Sequence, residues 1–492
     1  MRDGKRIEFG DWQTPLGLAS EVLDLVKAAM PEVAAVLEPT CGEGAFLLAA
    51  ASVFPRARLY GFDISDAHVQ TARKRLDGHG ADLEVADFFR VQWEEVLQRL
   101  PEPTLIIGNP PWVTNSALGA MEAENLPTKS NLKGHSGIDA RTGKSNFDIS
   151  EWMLTRLIEA AGPRRFLLAM LCKTSVARKV MERAATLAWR PEGSTRTIDA
   201  QAHFSAAVHA ALLMVQSQPE RADSGGDLRW GVYPSLSARH PTRYMGVVDG
   251  RTCSDVDAFL ATRGLDGESE IEWRSGLKHD CASVMELVVV DDGLVNGLGE
   301  AVDIEAEYVY PLVKGSDLAH GRVSTRRRVI VTQRRLGDET AVLRERAPAA
   351  WKYLDAHRRH FEARKSSIYR DQPAFSMFGI GEYSFAPYKV AIGGLYKKLA
   401  FSVVGPMDGR PVMVDDTSYF LPCTTLEEAS ELAGALNGGT AREFFEARVF
   451  WDAKRPVNKA LLQSLSLAAL FQSENRIPPR SLVQGRQLVL PF

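Results

Sequence analysis

The sequence predicts an α/β fold: a mostly parallel sheet closed by an antiparallel pair, followed by a second, mixed α/β region. Three observations carry this. Short apolar runs of strand length alternate with helix-patterned segments, and the first run passes through a glycine-bearing turn into a helix. Successive runs also end on polar residues, Glu38, Asp63, Asp87 and Asn109. Open α/β sheets bind ligands outside the carboxyl ends of their strands, so these four residues mark a candidate site.

Residues 1 to 13 are polar and without clear pattern. Leu16, Leu18, Val22, Leu23, Leu25 and Val26 then recur with near-helical spacing, so Thr14-Pro15 reads as the entry to an amphipathic helix. Ala34 to Glu38 is a short buried strand, Pro39-Thr40-Cys41-Gly42-Glu43-Gly44 a turn, and Ala45 to Val53 a helix. Such a turn lets backbone approach a ligand at a helix N-terminus, as in nucleotide-binding βαβ units, although the arrangement is common without one. Arg58 to Ile64 forms the next strand; its Asp63 lies about two dozen residues after Glu38, the interval at which such folds place an acid on ribose hydroxyls. A helix over Asp66 to Leu76 leads to the strand Leu83 to Ala86, which ends on Asp87-Phe88-Phe89. Asp87 can accept from an adenine amino group. Each acid alone also reads as a helix cap or a solvated turn residue.

Leu105-Ile106-Ile107-Gly108 is a buried strand broken by Asn109-Pro110-Pro111-Trp112. The Asn109 amide oxygen accepts hydrogen bonds, the prolines stiffen the backbone, and Trp112 offers a flat apolar face, a set that suits a planar base bearing an exocyclic amine. A strand followed by an ordinary Pro-rich turn is the alternative. The stretch from Thr114 to Ser145 is too long for an ordinary connection. A helix from Asn146 to Ala161, a strand over Arg165 to Leu171 and a helix from Thr174 to Leu187 continue the alternation. Thr195 to Asp199 and Ala211 to Val215 form the closing antiparallel pair, with Phe204 between them either filling core or stacking on a ligand.

Composition turns polar from Gln216 to Asp227, which divides the chain into domains 1–218 and 229–492. The second region interleaves basic clusters with aromatics: Arg326-Arg327-Arg328, Arg334-Arg335, Arg358-Arg359-His360, Arg364-Lys365, Lys397-Lys398 and Lys454-Arg455. Singly each reads as a solvated face; together, in a chain of net charge -3, they point to a polyanion-binding surface. The helix Leu426 to Leu436 stops at Asn437-Gly438-Gly439 with ordinary end chemistry. Five scattered cysteines read as reduced thiols, and no metal-ligand spacing is seen. No apolar run approaches the ~20 residues of a membrane span, so the expected location is the cytoplasm.

These motifs resemble those of the S-adenosylmethionine-dependent N6-adenine DNA methyltransferases, TaqI-like and gamma-ordered. Leu37 to Leu47 resembles the family's cofactor motif, Gly61-Phe62-Asp63-Ile64 its ribose-acid motif, Ala86-Asp87-Phe88 its adenine-contact motif and Asn109-Pro110-Pro111-Trp112 its catalytic tetrapeptide. The likeness covers roughly residues 9 to 217. Looser likeness to attached specificity domains rests on Ser275 to Asp280, Tyr310 to Asp317 and Asn437-Gly438. The resemblance implies a Rossmann-like class I methyltransferase domain followed by a target-recognition region. It implies S-adenosylmethionine contacts at Thr14, Glu38, Pro39, Thr40, Gly42, Asp63, Ile64, Asp87, Phe88 and Asn109, and stacking of a flipped base on Trp112 and Phe204. Double-stranded DNA is the implied partner, gripped by Arg326, Arg327, Arg328, Arg334, Arg335, Lys397, Lys398, Lys454 and Arg455. Restriction, where present, would belong to a separately encoded restriction or defence-system protein. N4-cytosine DNA methylation, RNA or protein-glutamine methylation and a non-catalytic DNA-binding module are the alternatives; Asn rather than Ser opening the tetrapeptide favours adenine.

Overall fold

The computed structural model describes residues 13–113, 148–217, 227–291 and 293–483. The stretch from Thr114 to Ser145 therefore lies outside the described residues, as do 1–12 and 218–226. The chain divides into two compact units after Asp257.

In the first unit α1 (Leu16–Ala29) follows Pro15, whose fixed φ suits a helix entry. Its Leu18, Ala19, Val22, Leu23 and Val26 are buried, one face of a 3.6-residue period. Next come β1 (Ala35–Glu38), α2 (Ala45–Val53), β2 (Arg58–Asp63), α3 (Asp66–Arg75), β3 (Asp82–Val85), α4 (Trp93–Arg99) and β4 (Thr104–Gly108). After the undescribed stretch follow α5 (Ile149–Ala161), β5 (Phe166–Lys173), α6 (Thr174–Ala184), β6 (Glu192–Ile198), α7 (Ala200–Phe204) and β7 (Ala210–Ser217). The helix α4 has no counterpart in the sequence reading: it is short, and only Trp93 and Leu97 on it are buried.

Strand order is β3-β2-β1-β4-β5-β7-β6; the first five run parallel, and β7 is antiparallel to both neighbours. This is the predicted mostly parallel sheet with its antiparallel closure. Strands β1 and β4 are buried throughout because both sheet faces are covered. Alternation sorts their side chains: Val36, Leu105 and Ile107 pack with α1 and α2, whereas Leu37 and Ile106 pack with α4, α5 and α6. Each fully buried Leu or Ile contributes about 1.5–3 kcal/mol of transfer free energy, so this double-sided core outweighs any single polar contact at the rim.

The first unit does not stop at 218. Leu228–Tyr233 (β8), Arg243–Val248 (β9) and Arg251–Cys253 (β10) continue its sheet, β8 pairing with β6. The predicted boundary near 218 to 228 therefore falls inside the first unit, whose limit is Asp257; polar composition does not report strand pairing.

The second unit holds a six-stranded sheet built on Glu286–Val290, Arg327–Ile330 and Val309–Val313, and a four-stranded sheet built on Tyr388–Gly393 and Ser418–Cys423. The helix Leu426–Leu436 has the predicted limits, with Asn437 as its C-cap. Two of the three segments singled out in the sequence, Ser275 to Asp280 and Tyr310 to Asp317, meet at residues 414–418. Leu277 N–H donates to the Val414 carbonyl (2.7 Å), Gly276 N–H to the Ser418 carbonyl (3.1 Å) and Gly315 N–H to Asp415 Oδ1 (3.0 Å). Any Cβ on Gly276 would lie 2.1 Å from the Asp415 carbonyl oxygen, so only glycine fits there. Among the described residues no helix is long and apolar enough to cross a membrane.

Candidate active site

Strand order reverses between β1 and β4, whose neighbours β2 and β5 lead away in opposite directions, and the crevice of an open α/β sheet lies at such a switch point. Glu38 ends β1, Asp63 ends β2, and Asn109 follows β4. The structure therefore brings three of the four predicted strand-end residues to adjacent strand ends, with Asp87 two residues beyond β3.

The glycine turn is held from two sides. Asp63 Oδ2 accepts from Gly42 N–H (2.8 Å), and its Oδ1 accepts from Ser65 N–H (2.9 Å). Gln13 Oε1 accepts from Glu43 N–H (3.1 Å), which lays the segment containing Thr14 against the turn. Gly42 and Gly44 have φ of 49° and 80°, a region that favours glycine. A Cβ on Gly42 would also meet Gln13 Oε1 at 2.8 Å. In the sequence Gln13 stands out only as the first residue of the Gln13-Thr14-Pro15 element ahead of the cofactor motif, with no contact assigned to it.

Glu38 is buried, and its Oε2 accepts from Leu47 N–H (3.3 Å) in the first turn of α2. Burial pushes its carboxyl well above the usual carboxylate range; the Leu47 N–H opposes the rise and the charge of Asp63 reinforces it. Its Cγ would lie 3.5 Å from a Cβ on Gly108, so Glu38 adjoins the residue preceding Asn109. Pro39 is buried, and the Thr40 hydroxyl is buried with no hydrogen-bond partner among the described residues. Ile64 is 52% exposed, an apolar side chain in solvent beside Asp63.

Asp87 Oδ1 accepts from Phe89 N–H (3.0 Å) and its Oδ2 lies 3.6 Å from Arg90 Nε. Asp63 and Asp87 thus act as turn braces, as the bland reading allowed, yet a carboxylate has about four lone-pair positions and each keeps some for a ligand. Phe88 departs from its expected place. It is buried against Trp93, ring centroids 4.7 Å apart, and belongs to a core cluster with Phe62 and Trp152, because burying the ring there gains more than exposing it at the sheet edge.

In the tetrapeptide Pro110 and Trp112 are buried. Trp112 Nε1 donates to the Leu171 carbonyl (3.3 Å), and its ring meets Phe204 edge to face with centroids 5.3 Å apart and planes at 73°. The two residues read as base-stacking are neighbours, and they pack on each other. Stacked bases rise about 3.4 Å per step, so a base sandwiched between two rings needs them about 7 Å apart. In this state Phe204, 4% exposed at the end of α7, fills core.

Lys173, at the end of β5, went unnoticed in the sequence. Its Nζ donates to the Trp112 carbonyl (2.8 Å) and to Asp148 Oδ2 (2.6 Å), while Asp148 Oδ1 caps α5 through Ser150 N–H (3.2 Å). The available signal was a lysine closing an apolar run, the same strand-end pattern as the acids. As a positioning residue it should act on turnover: Lys173→Met is expected to lower kcat roughly tenfold with little change in KM, measured by steady-state methyl transfer. Equal loss in a charge-retaining Lys173→Arg variant would show that fit rather than charge is required.

In the second unit several predicted basic residues serve protein acids. Arg327 pairs with buried Asp317 (2.6 Å), Arg328 with Asp408 (2.6 Å), and Arg334 and Arg335 both with Glu382 (3.0 and 3.3 Å). Arg455 donates to the Asp416 carbonyl (3.1 Å). These arginines are largely satisfied within the fold; Arg328, 14% exposed, is a strut. Arg326, Lys397, Lys398 and Lys454 are exposed. Runs of arginine do not reveal which carboxylates the fold will bring to them.

Residues 32–102 match the family described as Methyltransferase domain. Over 477 residues the chain is 41% identical to the type II methyltransferase M.NspV of Nostoc sp., spanning 94% of this chain and 97% of that protein. A stretch of 79 residues is 35% identical to the type II methyltransferase M.CvrRI of Paramecium bursaria Chlorella virus XZ-6E, covering 16% of this chain and 18% of that protein. Among solved structures, the type IIL restriction-modification enzyme MmeI in complex with DNA aligns with a TM-score of 0.49 and 14% identity, across 98% of this chain and 72% of that one. By its near full-length identity to M.NspV, the chain belongs to the type II methyltransferase family.

Proposed function

We propose that the protein transfers a methyl group from S-adenosylmethionine to the N6 amino group of adenine within a specific DNA sequence. The observation that carries this reading is the position of Asn109-Pro110-Pro111-Trp112 at the carboxyl end of β4, next to the end of β1 at the switch point. Membership of the type II methyltransferase family supports methyl transfer to DNA.

The residues present fit the cofactor. The unpartnered Thr40 hydroxyl is the kind of group a ligand satisfies, exposed Ile64 offers a face to an adenine ring, and Asp63 and Asp87 retain lone pairs for ribose hydroxyls and an amino group. When bound, S-adenosylmethionine supplies a methyl group on a sulfonium. The N6 amine of adenine is a poor nucleophile because its lone pair is delocalised into the ring. The Asn109 side-chain oxygen and the Pro110 carbonyl accept its two N–H groups and turn the lone pair towards the methyl carbon. Much of the acceleration comes from this orientation. The target base is flipped out of the duplex at a cost of a few kcal/mol, partly recovered on the face of Trp112.

Incubating the protein with labelled S-adenosylmethionine and genomic DNA, then digesting to nucleosides, should yield labelled N6-methyladenine. Label in N4-methylcytosine, or only in RNA or protein, rejects the reading.

A further inference from the structure

One basic pocket gathers two of the predicted clusters, Arg358 and Arg364-Lys365, with Arg370, which the sequence does not single out. In the second unit, residues 358–375 line an open cavity of ≈ 320 Å³ with four cations, Arg358, Arg364, Lys365 and Arg370, against one carboxylate, Glu362. Arg358 is partly neutralised by Asp355 (2.6 Å). Lys365 and Arg370 are exposed and meet no carboxylate among the described residues.

Arg364 is the fixed wall of this pocket. It lies over the Tyr369 ring, 3.6 Å from the centroid, and Nη1 donates to the carbonyls of Ser376 (2.8 Å) and His279 (3.3 Å). Its acceptors are neutral carbonyls, so its charge is held in place without direct neutralisation, and burial lowers its pKa from the ordinary value. Phe361 and Phe375, both buried, form the apolar base.

The far rim is built at a cost. Asp371 and Phe375 have φ of 62° and 63°, and a phenylalanine in that region is an outlier. Three contacts outside the loop hold it. Thr332 Oγ1 donates to the Phe375 carbonyl (2.9 Å), Thr340 Oγ1 to the Ala374 carbonyl, and Met377 N–H to Gln333 Oε1 (3.1 Å). Strain maintained by surrounding structure in this way marks a shape that is being preserved.

We propose that this pocket seats a backbone phosphate of the DNA duplex. The inference rests on the reading of the protein as a DNA methyltransferase and adds a contact to it. Arg and Lys at such a site position the duplex without reading sequence. A phosphodiester presents oxygens to Lys365 and Arg370 at the mouth and to Arg364 within.

The test compares the wild type with Lys365→Gln/Arg370→Gln in binding a fluorescent mixed-sequence duplex across a salt series. Thermal unfolding checks that both fold, and Lys365→Arg/Arg370→Lys serves as a charge-retaining control. Each phosphate contact contributes about 0.9 to the slope of log affinity against log salt, so the Gln variant, which empties a one-phosphate seat, should lose about 0.9 of slope. Binding should weaken roughly tenfold or more at moderate salt, with the control near wild type. Unchanged affinity and slope in the Gln variant overturn the pocket while leaving the DNA reading intact. No binding of duplex by the wild type overturns both. Calorimetric binding of inorganic phosphate that is lost in the Gln variant, with an unchanged duplex slope, assigns the pocket to free phosphate and overturns the duplex assignment.

Discussion

Replacing Asn109 with alanine is expected to abolish measurable methyl transfer, a loss of roughly 10³-fold or more, because it removes an acceptor placed to act as charge develops on the amine. Cofactor affinity should stay within a few fold of wild type. Asn109 lies half-buried beyond the end of β4, and the core beneath it, Leu105 to Ile107, is untouched by the change. Single-turnover transfer on saturated enzyme, together with equilibrium dialysis of labelled S-adenosylmethionine, separates chemistry from binding. Full activity in the variant would sink the proposed mechanism. An Asn109→Asp variant sharpens the test: a carboxylate accepts as well as an amide oxygen but brings a negative charge close to the buried Glu38, which adjoins Gly108.

Asp63→Ala should act on the other substrate. The carboxylate holds Gly42 N–H and Ser65 N–H, and hydrogen bonds to a charged group are worth about 1.5–3 kcal/mol each. Without them the turn between β1 and α2 loses its brace from β2, and the ribose acceptor is lost as well. We expect S-adenosylmethionine to bind roughly 10- to 100-fold more weakly, with a clear fall in thermal stability but no loss of fold, since β2 pairs with both neighbours independently of this side chain. Turnover at saturating cofactor should fall much less than in Asn109→Ala. A variant with unaltered affinity would assign Asp63 to turn bracing alone. Asp63→Asn, which keeps one acceptor oxygen, should lie between the alanine variant and the wild type.

How much could be read in advance depended on the range of the forces involved. Local patterns reported themselves well: the helix Ala45–Val53 and the helix Leu426–Leu436 have the limits their periodicity predicts, and the strands ending at Glu38, Asp63 and Gly108 stand where the apolar runs place them. A strand buried on both faces needs a continuous apolar run, and its end needs a polar or turn-forming residue, so composition along a few residues suffices. The continuation of the first sheet past residue 218 had no such local mark, because β8 pairs with β6, far back along the chain, through backbone groups every sequence possesses.

The same division runs through the site. The residue types at the strand ends, and the order in which they occur, follow from the sequence by itself, which determines that a turn built from glycines, three acids and an Asn-Pro-Pro-Trp corner lie along one edge of one sheet. Only the tertiary structure decided what each side chain does once there. It turned Phe88 inward, set Trp112 against Phe204, clamped the tetrapeptide with Lys173, and directed Arg327, Arg328, Arg334 and Arg335 to internal carboxylates. A side chain's partner is chosen by burial and by charges from distant segments, and those are created by folding.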